Sequence, residues 1–297
     1  MEMRRFVSSR TGAGGGPATP RSRRAGAAGV RLWVAAGAAL ALLGCGRSPA
    51  PALPAGFDPS GSDPRAIDVA RRAGKAMGGE AGWAATRYLT FDFVVEAGGA
   101  PPVAYRHYWD VSTGRYRVEG MDEERRPYLV LFNVNTRKGI AWIDGRPAHG
   151  AERTRLLEEG YGRFINDCYW LLMPLKLLDP GTHLHYEGEV KAGGSVRDRI
   201  RVTFDAGIGL TPGDTYWAEV DRRTGRMERW EFMLQGDKAK YGYRWTGWER
   251  FGPLTLSSDK EAEDGSDRIR FVNVRASEEV DPAPFEVPSE AGERGPA

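Results

Sequence analysis

The sequence predicts a mainly β protein of the α+β class, with consecutive antiparallel strands, a short helix ahead of them and an apolar helix set in their middle. Three observations carry that reading. From about Tyr88 the apolar residues recur with a period of two. Turn signals follow one another about every 10 to 13 residues. One segment, at about 152–173, breaks this rhythm with helical spacing.

The elements can be justified in order. Asp63-Pro64 reads as a helix start, the aspartate as cap and the proline at the first position. Ile67, Ala70, Ala73 and Met77 then recur at helical spacing until Gly78-Gly79 stops the run, and a short turn around Trp83 leads into the first strand. Leu89, Phe91, Phe93 and Val95 share one strand face, with Asp92 and Glu96 on the other. Val103, Tyr105, His107, Trp109 and Val111 do the same against Arg106 and Asp110. Further strand-like runs lie at 116–118, 128–134, 139–143, 184–190, 196–204, 215–220, 230–234, 241–245, 254–257 and 269–274. Ser112-Thr113-Gly114, Asp144-Gly145, Arg223-Thr224-Gly225 and Asp264-Gly265 mark turns between them. Such a set closes as a meander, a sandwich or a barrel.

In the exceptional segment, Leu157, Tyr161, Phe164, Ile165, Cys168 and Leu172 follow i, i+3, i+4 spacing. They predict a helix, or a pair of helices broken near Gly160 and Gly162, that Pro174 ends. The run from Trp170 to Leu175 is apolar on every side, so it must be buried or cover something apolar.

The first 44 residues divide as a secretory leader does: seven arginines (Arg4, Arg5, Arg10, Arg21, Arg23, Arg24 and Arg31), then an apolar stretch to Leu43 of about 12 uninterrupted residues, too short to span a ~30 Å hydrocarbon core. Setting aside those arginines and Glu2 leaves 35 basic against 39 acidic residues, a mildly acidic chain. That balance argues against a nucleic-acid partner. Residues 45–63 are rich in Pro, Gly and Ser and read as a flexible tether; 281–297 reads as a Pro-rich tail in which Phe285 and Val287 can pack back.

Leu42-Leu43-Gly44-Cys45 resembles the lipobox of bacterial lipoproteins, with Leu at −3, a small residue at −1 and Cys at +1. That resemblance implies cleavage of the leader before Cys45 and acylation of its thiol, so that lipid anchors the chain to a membrane of the cell envelope. Gly46, where an aspartate would retain an enteric lipoprotein in the inner membrane, points to the outer membrane and its periplasmic side. With Cys45 acylated, Cys168 has no disulfide partner. The element order over 64–280, behind a lipobox, resembles the periplasmic lipoprotein-carrier superfamily of LolA-like and LolB-like proteins. The resemblance implies a curved, incompletely closed antiparallel half-barrel of about ten to twelve strands, with the central helix lidding an apolar concavity. It also implies a monomer that binds a hydrophobic ligand (an acyl chain, a lipid or a lipoprotein) without a cofactor. The residues expected to line that concavity and its lid are Phe91, Phe93, Trp109, Trp142, Phe164, Cys168, Trp170, Leu172, Trp230 and Trp245. A filled core plugged by the helix, as in a scaffold or interaction lipoprotein, is the alternative.

Motifs for chemistry are sparse. His183 and His185 share a strand face, where Glu187 or Glu189 would complete a metal site, but alternation with Leu184 and Tyr186 is also what a solvated strand produces. His107, on an apolar strand face, reads as a hydrogen-bonded core histidine. Cys168 reads as a small core residue. Asp259, Glu261, Glu263 and Asp264 read as an exposed acidic turn past a strand end. Neither Gly-x-Ser-x-Gly nor His-Glu-x-x-His occurs, so the sequence offers no catalytic assignment and the weaker expectation of an envelope hydrolase has no residue behind it.

Overall fold

Thirteen antiparallel strands form one sheet, in a computed structural model that describes residues 53–288. Cys45, its leader and the tether up to residue 52 lie outside the described residues. Helix α1 (Pro64–Ala76) and a short α2 (Gly79–Ala85) precede β1 (Tyr88–Ala97), β2 (Val103–Asp110), β3 (Arg115–Met121), β4 (Pro127–Asn133), β5 (Gly139–Ile143) and β6 (Arg146–Pro147). Helix α3 (Gly150–Lys176) follows. The chain then continues through β7 (Thr182–Ala192), β8 (Ser195–Phe204), β9 (Thr215–Asp221), β10 (Met227–Met233), β11 (Tyr241–Phe251), β12 (Leu254–Ala262) and β13 (Asp267–Ser277).

The strands run β6-β5-β4-β3-β2-β1-β13-β12-β11-β10-β9-β8-β7, two meanders joined where β1 pairs with β13. A bulge between Thr90 and Asp92 marks that seam; Asn273 opposite it adopts φ +53° and donates a 2.8 Å hydrogen bond to Asp92. Neither edge strand pairs with the other, so the sheet stays open. It is also curved. Flat, thirteen strands at ~4.8 Å spacing would be about 58 Å wide. Yet the 27-residue α3, about 40 Å long, touches β3, β4 and β5 and also β12 and the rings of β9 and β10. One helix reaches both halves only if the sheet wraps around it.

Most strands coincide with the alternating runs, and their ends extend further. The thirteenth, the two-residue β6, carries no periodic signal and exists because Asp144 and Gly145, at φ +51° and +73°, form a two-residue hairpin. Three local expectations are corrected. The turn around Trp83 is helical over Gly79–Ala85. Asp63 precedes α1 without capping it, because its carboxylate accepts the Tyr186 N–H at 2.8 Å instead. Helix α3 neither breaks at Gly160 and Gly162 nor ends at Pro174; it continues to Lys176.

The two glycines of α3 differ in what surrounds them. A Cβ on Gly160 would lie 3.1 Å from Val130 Cγ1 and 3.3 Å from Val118 Cγ1, so this glycine lets the helix sit directly on β3 and β4. Gly162 faces open space. Gly160→Val should therefore lower the urea midpoint by an amount equivalent to ~1–3 kcal/mol through overpacking. Gly162→Ala should raise it by up to ~1 kcal/mol through helix propensity. Equal effects at the two positions would contradict this packing.

Candidate functional site

Helix α3 is anchored differently at its two ends. Its first part meets β2–β4 through a stripe of polar groups that runs from the exposed Arg155 to the fully buried Asp167. Arg155 lies 3.6 Å from the carboxylate of Asp122, and 3.3 Å from Glu159, whose own carboxyl burial pushes upward. Arg163 stacks over the Tyr105 ring at 3.8 Å and reaches toward Asp167. Asp167 and His107 are both completely buried; His107 Nε2 lies 3.0 Å from Asp167 Oδ2, out of line for a hydrogen bond but close enough for strong electrostatic contact. His107 Nδ1 and the Tyr116 hydroxyl share a 2.8 Å hydrogen bond, and the same hydroxyl lies 3.4 Å from Cys168 Sγ. Asn166 donates to the other Asp167 oxygen at 2.7 Å.

This constellation includes the types used in nucleophilic catalysis, but its chemistry is that of a clamp. Burial pushes the Cys168 thiol up to about 12, so no thiolate is on hand to attack a substrate. The Tyr116 hydroxyl is likewise pushed up by burial. The contacts of Asp167, Cys168 and Arg163 with His107, Tyr116 and Tyr105 tie α3 to β2 and β3 and fix its height and rotation over them.

From Tyr169 to Leu175 the helix carries only apolar and aromatic side chains. Tyr169 packs on Tyr216 and Trp230, with ring centres 5.8 and 5.5 Å away. Trp170 packs on Trp230 at 4.6 Å and edge-on to Tyr243 at 4.9 Å. Leu171, Leu172 and Met173 are buried with them. Pro174 has no N–H to give the Trp170 carbonyl, so the helical ladder loses a bond at the level where the anchorage changes.

The residues expected to line the concavity are brought together with one exception. Phe91, Phe93, Trp230 and Trp245 on the strands, and Cys168, Trp170 and Leu172 on α3, belong to one buried cluster. Trp109 and Phe164 flank it, 5.1 Å apart edge-to-face. Trp142 does not join them. Ala141 and Ile143 hold the inward positions of β5, so the alternation places Trp142 on the opposite face of the sheet. Surface depressions of about 400 and 440 Å³ lie at the β1–β2 and β12–β13 turns and beside α1.

The other candidates resolve into ion pairs. His183 bonds Asp205 at 2.7 Å; Glu187 pairs with Arg199, and Glu189 with Arg65 and Arg222. No grouping of three metal-ligating side chains occurs among the described residues. The acidic stretch is not a turn past a strand: Asp259 and Glu261 lie within β12 and pair with Arg268 and Arg244, and Glu263 pairs with Arg229. Across β8–β10, Arg199 and Arg229 each lie 2.9 Å from Glu219, and both reach Glu231. Although burial pushes Glu231 up, the hydrogen bonds from these two arginines hold it below the usual carboxylate range.

Sequence reasoning missed Asp167, Tyr116, Arg163 and Lys260. Asp167 sits at the helical position next to Cys168, where the apolar pattern hid it. Lys260 had a readable signal, since it falls on the same alternation as Leu254 and Leu256.

No family model matches the chain, and no curated protein matches it. Among solved structures, it is similar to a LolA superfamily protein from Nitrosomonas europaea (TM-score 0.47, 8% identity, 75% of this chain and 97% of that one). It is similar as well to a DUF1329 family protein from Desulfovibrio piger (0.44, 12%, 75% and 96%). The lipoprotein LppX of Mycobacterium tuberculosis is a more distant likeness (0.30, 12%, 74% and 99%).

Tyr116→Phe keeps the ring contacts and removes the hydroxyl shared by His107 and Cys168. Leaving buried polar groups without a partner costs ~1–3 kcal/mol, which should show as a lower urea midpoint with an unchanged m-value. A midpoint equal to that of the parent would mean the clamp does not hold α3.

Proposed function

We propose that the protein binds the apolar part of an amphiphile on the concave face of its half-barrel, with the C-terminal part of α3 as the lid. The observation that supports this is the division of α3 into a polar-clamped half and a half held by apolar contact alone. Hydrophobic contact is non-directional and roughly proportional to area, so an acyl chain can replace the Trp170–Leu175 surface on Trp230 and Tyr243 at little net cost. The clamp at His107, Tyr116 and Asp167 would stay closed during that exchange. Pro174 supplies the level at which the lid could swing.

The leader and Cys45 complete the reading. A lipid on Cys45, at the head of a Pro-rich tether, would hold the domain at a membrane of the cell envelope, the outer one on the strength of Gly46. Among the described residues no helix is long and apolar enough to cross a membrane. The chain would work as a monomer, receiving or passing on its ligand at that surface.

Two measurements test this. The chain carrying Cys45→Ser, extracted with chloroform–methanol and run in parallel by native mass spectrometry, should yield a bound amphiphile at up to one per chain. Protein that is empty, and stays empty after incubation with oleate or monoolein vesicles, would establish the filled-core scaffold instead. Separately, cells fed radiolabelled palmitate should label the wild-type chain and not the Cys45→Ser form; label on both would remove the anchor from Cys45.

A further inference from the structure

One ionisable side chain in the concave face has no counterpart. Lys260 on β12 is completely buried and faces inward with Leu254, Leu256 and Ala262. Its Nζ donates one hydrogen bond to the carbonyl of Ser257. Otherwise it meets π faces, 4.5 Å from the ring centre of Trp245 and 4.2 Å from that of Phe271. Among the described residues no carboxylate lies within ion-pair distance of it. Its neighbour Asp259 alternates to the outer face and is taken by Arg268. Beside it, the indole N–H groups of Trp230 and Trp245 are buried without a hydrogen-bond partner, and the two rings are 5.7 Å apart.

The set is one-sided. The two indoles present donors only, and the Lys260 side chain adds further N–H groups to theirs. A buried donor without a partner costs free energy, and a buried lysine costs more than a methionine of similar length. Nothing structural in the fold repays that cost, since the cross-strand register and the aromatic packing need only an apolar side chain at 260. An acceptor from outside would relieve the donors it reaches.

We propose that Lys260, with the indole N–H groups of Trp230 and Trp245, receives the carboxylate head of a single-chain fatty acid, whose tail occupies the place of the apolar end of α3. This rests on the lid reading above and specifies its ligand. One cation matches one negative charge. Burial holds the Lys260 ammonium well below the ordinary lysine range, which favours the neutral amine, a proton acceptor. A carboxylic acid, with a pKa of about 4–5 in water, can cross an apolar entrance in its neutral form and then hand its O–H proton to Nζ. The product is a carboxylate–ammonium pair with no proton gained from or lost to solvent. A phosphodiester cannot shed its charge in this way, and a glyceryl ester brings no proton.

The test compares oleic acid with monoolein, which has the same chain and a neutral head, on delipidated Cys45→Ser protein by isothermal titration calorimetry. The parent should bind oleate at least tenfold more tightly than monoolein. Adding Lys260→Met should lower oleate affinity at least tenfold and leave monoolein within twofold, while raising the melting temperature. Trp245→Phe keeps the ring and loses the N–H, and should cost oleate about three- to tenfold; it decides the matter if the methionine variant fails to fold. Undiminished oleate affinity in the folded variants overturns the head-group assignment and leaves the lid reading standing. A parent that binds neither ligand overturns both.

Discussion

The architecture depends on a covalent constraint. The first meander ends at one open edge of the sheet, β6, and the second begins at the other edge, β7, so the chain between them must cross the full width of the sheet. Only 34 residues separate Pro147 from Thr182, and 27 of them are helical. A helix rises ~1.5 Å per residue, so α3 is about 40 Å long, well short of the ~58 Å width of a flat thirteen-stranded sheet, and only seven non-helical residues are left to cover the difference. The curvature, the apolar character of the helix and the position of the core all follow. Helix α3 is the chord of an arc that the sheet must close around.

A chord inside an arc faces two walls, and here the walls differ. Against β2–β4 the helix presents Arg155, Glu159, Arg163 and Asp167; against β9–β12 it presents Tyr169, Trp170 and Met173. Buried polar contacts are directional, and breaking them leaves groups unsatisfied, whereas aromatic contact can be exchanged for other apolar contact without that penalty. The difference gives one helix a part held by polar contacts and a part held by aromatic and apolar contacts. Gly160 supports the fixed half by letting backbone approach the valines of β3 and β4, and Pro174 weakens the ladder in the other.

Much of this was legible in the sequence because alternation and helical spacing are local signals. The inward sets of β1 and β2 could be read residue by residue, as could the all-round apolar run of α3. What escaped were properties set between distant segments. Pro174 does end many helices, but here packing on both sides carries the helix past it. Gly160 looked like a break because the nearness of Val130 and Val118 is not written beside it. Trp142 was counted as lining because size suggested it, although the alternation of Ala141 and Ile143 already assigned it to the other face. The polar clamp needed the fold to bring Asp167 to His107, sixty residues away in the chain. Lys260 was hidden by its acidic neighbours, which drew the segment toward an exposed turn.

The charges of the molecule complete the contrast between its faces. On the outer face, arginines and carboxylates alternate across β7–β12 so that each finds an opposite charge on the next strand, as with Arg199, Glu219 and Arg229. Such pairs solvate a wide sheet and contribute modestly to stability one by one. Inside, the clamp pairs His107 with Asp167 and places Arg163 beside it. Lys260, by contrast, is completely buried among the described residues with no carboxylate in ion-pair distance. A core selected only for packing would place an apolar side chain there, which is what Leu254, Leu256 and Ala262 do on the same strand. The one lysine among them lies between the rings of Trp245 and Phe271. An unpaired lysine on an otherwise apolar strand face is what packing alone does not explain in this core.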